Sequence, residues 1–281
     1  MGKIASALKK AGGITVGSRQ QDAPVSPVPH PEDSPPLINK TIVRPEEGGR
    51  LAWNEMLVAA HNAADEIAEK LRVLRTKILH PEHGSPPRSI LITSAVPGEG
   101  KTFLTANLAI TLAQSIESHV LIIDADLRRS GLGMLFGIAN TTGLSDHLRD
   151  NIDVGRLLVR TGHAKLSILP AGPAPINPAE LLDTRKTAAM FAEMAKRYED
   201  RYIIIDSPPL NLAAETAVLA KYVDRVILVV RYGFSNRELI QKAVDTVGKD
   251  KILGIVFNAA ESSETGKKYG YYYGEYYGRK K

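Results

Sequence analysis

The sequence predicts an α/β fold in which a mostly parallel, doubly wound sheet is covered by helices on both faces. Short apolar runs recur along the chain, and segments with apolar residues at helical spacing lie between them. Strands that are buried on both faces are apolar along their whole length, and their alternation with helices is typical of a parallel sheet. Several runs end in a glycine turn or an aspartate, at the edge where open α/β sheets bind ligands.

Length and composition limit the possible classes of protein. The 281 residues, 43% of them apolar, allow one large α/β domain with appendages. The absence of cysteine excludes a disulfide scaffold and thiolate metal sites, and it fits a reducing cytoplasm. No apolar run reaches the roughly 18 residues that span a bilayer, and the N-terminus has no signal-peptide core. The net charge of +5 is concentrated at the two ends, which favours solvated tails, and we expect no nucleic-acid partner.

The first 50 residues are predicted to be a flexible segment outside the folded domain. Six prolines stand among polar residues between positions 23 and 36, a composition typical of an extended or disordered linker. Residues 1–12 have the spacing of a short amphipathic helix, with Ile4, Leu8 and Ala11 on one side. We place the folded domain at residues 51–260.

A long helix is predicted over residues 56–79, because apolar residues recur there every three or four positions and a proline follows. Glu69, Arg72 and Arg75 fall on the flank and back of this helix. Their spacing alone favours a solvated face with one Glu–Arg pair, which would stabilise the helix by only about a few tenths of a kcal/mol.

Residues 89–102 combine a buried strand, a glycine turn and the start of a helix predicted over residues 103–116. Glycines in the turn allow backbone N–H groups to face phosphate oxygens, and the helix N-terminus adds partial positive charge. The Lys101 ammonium would reach the β- and γ-phosphates, and the Thr102 hydroxyl would bind Mg²⁺. This is the phosphate-binding loop of a P-loop NTPase, so we expect ATP and Mg²⁺ as ligands. The predicted nucleotide-binding residues are Pro97, Gly98, Glu99, Gly100, Lys101, Thr102 and Phe103.

Aspartates follow two other predicted strands. Asp124 and Asp126 come after the apolar run at residues 120–123, and Asp206 follows the run at residues 202–205. The placement of Asp206 is that of a Walker B aspartate, which holds the metal directly or through water. The pair Asp124 and Asp126 has the chemistry either to position Mg²⁺ or to accept a proton from an attacking hydroxyl. Further strands are predicted at residues 166–169, 225–230 and 252–257, and further helices at residues 184–198 and 236–247.

The last predicted strand is followed by Asn258, a candidate side chain for the adenine pocket, and then by a tail. Glycines in residues 261–281 break helices and strands, and the segment is too polar to join the core. By composition alone, a low-complexity adhesive tail explains it as well as a functional one. Six of the ten tyrosines of the chain lie here: Tyr269, Tyr271, Tyr272, Tyr273, Tyr276 and Tyr277.

Five features together resemble the bacterial tyrosine kinases, the cytoplasmic P-loop autokinases of capsule and exopolysaccharide export. Residues 95–102 resemble Walker A, residues 121–129 resemble the additional Walker A′ motif, and residues 203–209 resemble Walker B. The Glu-x-x-Arg-x-x-Arg pattern at residues 69–75 is similar to the ring-assembly motif of the family. The tyrosine-rich tail is similar to its autophosphorylation cluster. The resemblance covers the chain from about residue 55 onward and implies a MinD/ParA-like fold.

The resemblance also implies a role for each motif. It places Lys101 and Thr102 on phosphate and Mg²⁺. Asp126 and Asp206 would surround the metal, and Asp124 would be the catalytic base. The Glu69, Arg72 and Arg75 side chains would join subunits of a ring-like homo-oligomer, and the six tail tyrosines would accept phosphate.

Three further expectations come from the resemblance alone. The activator would be a separate membrane polysaccharide co-polymerase, and a tyrosine phosphatase would oppose the kinase. The protein would be cytoplasmic and recruited to the inner face of the plasma membrane by its partner.

Two other functions compete with a kinase. A partitioning or positioning ATPase of the ParA/MinD type begins its phosphate loop with a lysine that crosses the dimer interface, whereas Val96 stands at that place here. Such an ATPase also has no need of a tyrosine-rich tail. The other competitor is a non-catalytic scaffold that binds ATP and organises the export machinery.

Overall fold

The computed structural model describes residues 53–62, 65–197 and 201–259. Within these ranges the chain contains seven strands: β1 (Ser89–Ser94), β2 (His119–Asp124), β3 (Val159–Arg160), β4 (Leu166–Leu169), β5 (Arg201–Asp206), β6 (Arg225–Arg231) and β7 (Ile252–Asn258). They form one sheet in the order β3-β4-β2-β5-β1-β6-β7. β3 pairs with β4 in the antiparallel sense, and the other neighbours are parallel. The predicted mostly parallel, doubly wound fold is confirmed.

Helices connect the strands and cover both faces of the sheet. They are α1 (Val58–His61), α2 (Glu66–Leu79), α3 (Lys101–Ala113), α4 (Leu132–Leu135), α5 (Leu144–Asp150), α6 (Val154–Leu157), α7 (Pro178–Leu182), α8 (Arg185–Arg197), α9 (Ala214–Tyr222) and α10 (Arg237–Val247). None of the helices in the described ranges has the length and apolarity needed to cross a membrane.

Alternate strand residues enter two hydrophobic cores, because successive side chains of a strand point to opposite faces. In β5, Tyr202 and Ile204 pack with residues of α1 to α4. Ile203 and Ile205 pack on the other face with residues of α5 to α9. A smaller cluster under α10 covers the end of the sheet near β6. Both faces of the central strands are therefore buried, which explains why their sequences are apolar without alternation.

The strand order brings three chain segments with functional side chains to one edge of the sheet. β5 lies between β1 and β2, and Asp206 at its end pairs in register with Asp124 of β2 and Ile92 of β1. β1 continues into the loop before α3, which is the predicted phosphate-binding loop. The carboxyl ends of the central strands thus meet where open α/β sheets bind ligands.

The single helix predicted over residues 56–79 is wrong, because the structure contains α1 and α2 with a break between them. The carboxylate of Asp65 accepts a hydrogen bond from Ile67 N at 2.7 Å, so Asp65 is the N-cap at which α2 begins. α1 is held separately by the side chain of Asn107 on α3, which accepts from Ala59 N at 3.0 Å and donates to Met56 O at 3.0 Å. Tertiary hydrogen bonds override the helical periodicity there.

Other boundaries also differ from the prediction. The helix after the phosphate loop begins two residues earlier than predicted and ends at Ala113, which leaves Ile116 92% exposed beyond it. The two-residue strand β3 was not predicted, since so short an edge strand leaves no periodicity to detect. The proposed N-terminal helix at residues 1–12, the linker and the tail at residues 261–281 lie outside the described residues.

Gly143, the N-cap residue of α5, provides a test of this packing. A Cβ atom on Gly143 would lie 2.1 Å from Pro170 O and 2.5 Å from Gly172 N, both of them backbone atoms. Overpacking of this kind costs about 1–3 kcal/mol, and in a chain of this size about 1 kcal/mol shifts Tm by roughly 2–4 °C. Gly143→Ala should therefore lower Tm by several degrees in thermal unfolding followed by circular dichroism. The control is Gly254→Ala, where the added Cβ meets open space and Tm should stay within about 1 °C. Equal Tm values for the two variants would contradict the packing described here.

Candidate active site

The loop between β1 and α3 has the backbone conformation of a phosphate-binding loop. Gly98 and Gly100 have φ angles of 81° and 93°, in the left-handed region that side chains other than glycine rarely adopt. Gly100 is the N-cap of α3, so the free N–H groups of the first helical turn open toward the loop. Ala95 stands where the P-loop pattern has its first glycine, and it is fully buried. The local sequence therefore produces a concave surface of backbone N–H groups.

A cleft of about 480 Å³ opens beside this loop. One wall is the phosphate loop with the first turn of α3, the second is the segment after β2, and the third is the segment after β5. Its lining combines cationic, carboxylate and apolar side chains. A larger open concavity of about 730 Å³ runs along α10, but exposed surface side chains line it and no buried carboxylate converges on it. The cleft is lined by Pro97, Gly98, Lys101, Thr102, Asp126, Arg128, Arg129, Pro208, Pro209, Leu212 and Ala213.

Asp206 at the end of β5 is hydrogen-bonded to the first turn of α3. Thr102 Oγ1 donates to Asp206 Oδ2 at 2.6 Å, and Thr105 Oγ1 lies 3.2 Å from Asp206 Oδ1. Burial raises the pKa of Asp206 to about 6, although the hydrogen bond from Thr102 and the positive charge of Lys101 act in the opposite direction. The sequence predicted Lys101, Thr102 and Asp206 as parts of one site, and the structure brings these three residues together.

The two aspartates after β2 occupy different environments. Asp126 lines the cleft, and its Oδ1 accepts from Arg129 N at 3.0 Å. Asp124 is 1% exposed and accepts from Asp126 N and Leu132 N, each at 3.2 Å. Burial is the main cause that raises the pKa of Asp124, and the nearby charge of Asp206 raises it further. The Asp124 carboxylate is therefore a stronger proton acceptor than an ordinary aspartate.

The donor set of the site fits Mg²⁺. Thr102, Asp126 and Asp206 supply one hydroxyl and two carboxylates, and oxygen ligands are those that Mg²⁺ prefers. No group of three or more His, Cys, Asp or Glu side chains in the described part of the chain has the geometry of a metal site.

Sequence reasoning did not single out Arg128 and Arg129 as site residues, although both line the cleft. Arg128 Nε donates to Glu215 Oε1 at 2.6 Å, and Glu215 in the first turn of α9 is fully buried. This contact raises the pKa of Arg128 and holds its guanidinium, which is charged in any case, beside the phosphate loop. Two arginines directly after an Asp-x-Asp strand end are a usable signal, because cations are needed where phosphate binds. The buried partner on α9 leaves no such signal in the sequence.

Glu69, Arg72 and Arg75 have partners within their own chain. Arg72 Nε donates to Glu69 Oε2 at 2.8 Å along α2. Arg75 Nη1 donates to Thr111 O on α3 at 3.1 Å. The intrahelical Glu–Arg pair that the spacing favours is present, and the third side chain links α2 to the phosphate-loop helix. Contacts with a neighbouring subunit stay a prediction.

Asn258, the adenine-pocket candidate, lies behind the phosphate loop. Its Nδ2 donates to Glu99 O at 2.9 Å, and its Oδ1 accepts from Ala259 N. The side chain of Glu99 is also buried away from the cleft, whereas Phe103 is partly exposed at the start of α3. An adenine-binding role for Asn258 is not supported by this orientation of its amide, and it stays a prediction. The six tail tyrosines lie outside the described residues.

Comparison with known proteins agrees with this geometry. The AAA domain family matches residues 88–251. CapB of Staphylococcus aureus, described as a putative tyrosine-protein kinase, is 35% identical over 208 residues, which cover 73% of this chain and 90% of CapB. The crystal structure of the chimerical protein CapA2B2 has a TM-score of 0.67 and 30% identity, covering 74% of this chain and 91% of the other. The septum site-determining protein MinD of Pyrococcus horikoshii, solved with Mg-ADP, has a TM-score of 0.54 and 26% identity, covering 63% and 72%.

These matches separate the candidate functions. The likeness to MinD confirms the MinD/ParA-like P-loop fold. The tyrosine-kinase relative and the chimera are matched with higher identity and over nearly their whole length, which supports a kinase over a partitioning ATPase. The chain therefore belongs to the AAA domain family and, within it, to the bacterial tyrosine kinases.

Proposed function

We propose that this kinase transfers the γ-phosphate of ATP to tyrosines in the C-terminal tail of a neighbouring copy, and thereby regulates exopolysaccharide or capsule polymerisation and export. The observation that carries the proposal is the hydrogen bond from Thr102, in the phosphate loop, to the strand-end carboxylate Asp206. It joins a phosphate-binding helix N-terminus to an oxygen ligand set for Mg²⁺ within one cleft.

The residues of the phosphate loop would bind the nucleotide and stabilise the transferring group. Backbone N–H groups at Gly98 to Thr102 would donate to phosphate oxygens, and the Lys101 ammonium would neutralise charge that develops on the γ-phosphoryl group. Thr102, Asp126 and Asp206 would hold Mg²⁺, which when bound supplies further positive charge at the phosphates. Arg128 and Arg129 add two cations at the same cleft.

Asp124 would act as the base for the acceptor tyrosine. The tyrosine oxygen attacks the γ-phosphorus, the bond from that phosphorus to the β–γ bridging oxygen breaks, and ADP leaves with the electron pair of that bond. The phenolic proton passes to the Asp124 carboxylate. The raised pKa of Asp124 supports this role, since a base with a higher pKa accepts a proton more readily.

The length of the tail would allow it to reach the active site of a neighbouring copy. From Asn258 to Tyr277 is 19 residues, which in an extended conformation could span roughly 60–70 Å. Each phosphate would add a charge of about −1.5 to −2. Several phosphates would outweigh the five basic residues of the tail, so that tails in a ring repel one another and the ring loosens. Kinase state and assembly would thereby be linked.

The remaining parts of the proposal concern organisation and partners. Residues 1–50 would be a flexible segment, residues 51–260 the kinase domain and residues 261–281 the autophosphorylation tail. A separate membrane co-polymerase would activate the kinase at the inner face of the plasma membrane, and a tyrosine phosphatase would reverse its action. A chimera of two proteins among the similar structures, CapA2B2, is in keeping with a separate partner.

Transfer between copies is tested by mixing two variants. Lys101→Met should remove the positive charge that neutralises the transferring phosphate. Autophosphorylation should fall by orders of magnitude while Tm stays unchanged. The second protein is active but ends at residue 268, so it lacks acceptor tyrosines. With Mg·ATP, phosphate should appear on the tail of the Lys101→Met protein, as mapped by mass spectrometry. No phosphate there, with an active partner confirmed on added tyrosine polymer, would contradict transfer to these tyrosines between copies.

The roles of the two Walker A′ aspartates can be separated. Asp124→Asn should keep binding Mg·ATP but transfer phosphate about 10²- to 10⁴-fold more slowly, as expected for loss of a general base. The matched variant Asp126→Asn, at the cleft surface, should weaken Mg²⁺-dependent nucleotide binding itself. Titration calorimetry and a phosphotyrosine assay measure the two effects. If Asp124→Asn abolishes ATP binding, that residue belongs to the metal site and the base lies elsewhere.

The proposed role of α2 in ring assembly leads to a third prediction. Replacing Glu69, Arg72 and Arg75 together by alanine should convert the unphosphorylated protein from a closed ring to monomers, because interface charges left without partners cost several kcal/mol. The control replaces Glu66 and Lys70, an exposed pair on the same helix with 2.7 Å between its charged atoms, and should leave the ring intact. Light scattering reports the mass. If the wild type is a monomer, or if the ring survives the triple change, these side chains act only within their own chain.

A further inference from the structure

Glu99 carries a carboxylate that is completely buried behind the phosphate loop. The side chain is 0% exposed and does not line the cleft. Its Oε2 accepts from Val96 N within the loop at 3.1 Å. Its Oε1 accepts from Arg231 N at 3.3 Å and from Ser235 Oγ at 2.6 Å. The carboxylate therefore joins the phosphate loop to the segment between β6 and α10, more than 130 positions away in sequence.

A buried carboxylate is costly unless hydrogen bonds satisfy both oxygens. Here each oxygen is satisfied by a different segment, so neither segment can move away without leaving a buried oxygen unpaired. The donor segment is itself fixed to β7, because Tyr232 N donates to Asn258 O at 2.9 Å. The hydrogen bonds thus transmit the position of this segment to the phosphate loop.

The main chain at Glu99 forms a second attachment on the same side. Glu99 O accepts from Asn258 Nδ2 at 2.9 Å, and a Cβ atom on Gly100 would lie 2.0 Å from that nitrogen. Asn258 is in turn bonded to the same segment, since Asn258 O accepts from Tyr232 N at 2.9 Å. The ends of β6 and β7 therefore support the back of the loop whose front faces the cleft.

We infer that Glu99 is a positioning residue for nucleotide binding, which acts through the phosphate loop and makes no contact with the nucleotide through its side chain. Its hydrogen bonds to Val96 and Ser235 hold the loop in the conformation in which backbone N–H groups and Lys101 converge on phosphate. The inference rests on the proposed nucleotide site. It also assigns a function to the segment at residues 231–235, which no sequence motif covers.

Glu99→Gln is the direct test, because glutamine has the same size but only one carbonyl oxygen. It can accept from one segment only, and its amide N–H₂ would face a donor on the other side. The control is Asp224→Ala, because asparagine would keep the single oxygen that accepts there. Asp224 Oδ2 also accepts from two backbone N–H groups, those of Arg88 at 2.8 Å and Ser89 at 2.9 Å, but at the opposite edge of the sheet. Both variants lose a carboxylate that binds backbone, and only one of them adjoins the cleft.

The measurement is the Kd of Mg·ADP by titration calorimetry, together with Tm in the absence of nucleotide. Glu99→Gln should raise the Kd at least about tenfold. Glu99→Gln and Asp224→Ala should both lower Tm, whereas the Kd of Asp224→Ala should stay within about twofold of wild type. Ser235→Ala, which removes one hydroxyl and keeps the charge, should raise the Kd about threefold, and it should add nothing in the Glu99→Gln background.

The outcomes distinguish this inference from the proposed function. If wild type binds Mg·ADP and Glu99→Gln binds it equally well, Glu99 does not position the loop. The inference also fails if Asp224→Ala raises the Kd as much as Glu99→Gln does, since the effect is then one of general stability. If Glu99→Gln does not fold, a wild-type Kd in Ser235→Ala overturns the inference. Failure of wild type to bind Mg·ADP overturns the nucleotide site and this inference with it.

Discussion

The hydrogen bond between Thr102 and Asp206 is the contact on which the rest of the cleft depends. Thr102 lies in the first turn of α3 and Asp206 ends β5, so their 2.6 Å contact fixes the helix N-terminus against the edge of the sheet. Because β1 and β2 flank β5, the same edge receives the phosphate loop and the Walker A′ carboxylates. One edge of a parallel sheet therefore supplies N–H donors, a hydroxyl and negative charge within a single cleft.

Burial gives this edge its electrostatic character. Asp124 and Asp206 end strands that are apolar on both faces, and desolvation is the main cause that raises the pKa of each. At Asp206 the positive charge of Lys101 favours the ionised form. Arg128, held by the buried Glu215, adds charge on the other side of the cleft. The carboxylates and the cations at this cleft thus carry charges that offset one another.

The sequence was informative where a local pattern determines the structure and uninformative where a distant partner does. Apolar runs predicted six strands, and the glycine turn before Lys101 predicted the phosphate loop, because these features depend on neighbouring residues. The break between α1 and α2 depends on Asn107, about 50 positions from the main chain that it binds. The same holds for Glu99 and Ser235, which are joined by a hydrogen bond although they lie 136 positions apart in the sequence. No periodicity or motif in the sequence indicates either of these two contacts.

Helix α3 connects the cleft to the face where assembly is expected. It begins with Lys101 at the cleft, and near its end Thr111 O accepts a hydrogen bond from Arg75 on α2. That bond uses one N–H of a guanidinium that has several more, so bracing α3 does not prevent Arg75 from binding a neighbouring subunit. The structural and the assembly roles of α2 are therefore compatible. Since a helix is rigid along its length, a shift of α2 on assembly would also displace the first turn of α3, which lines the cleft.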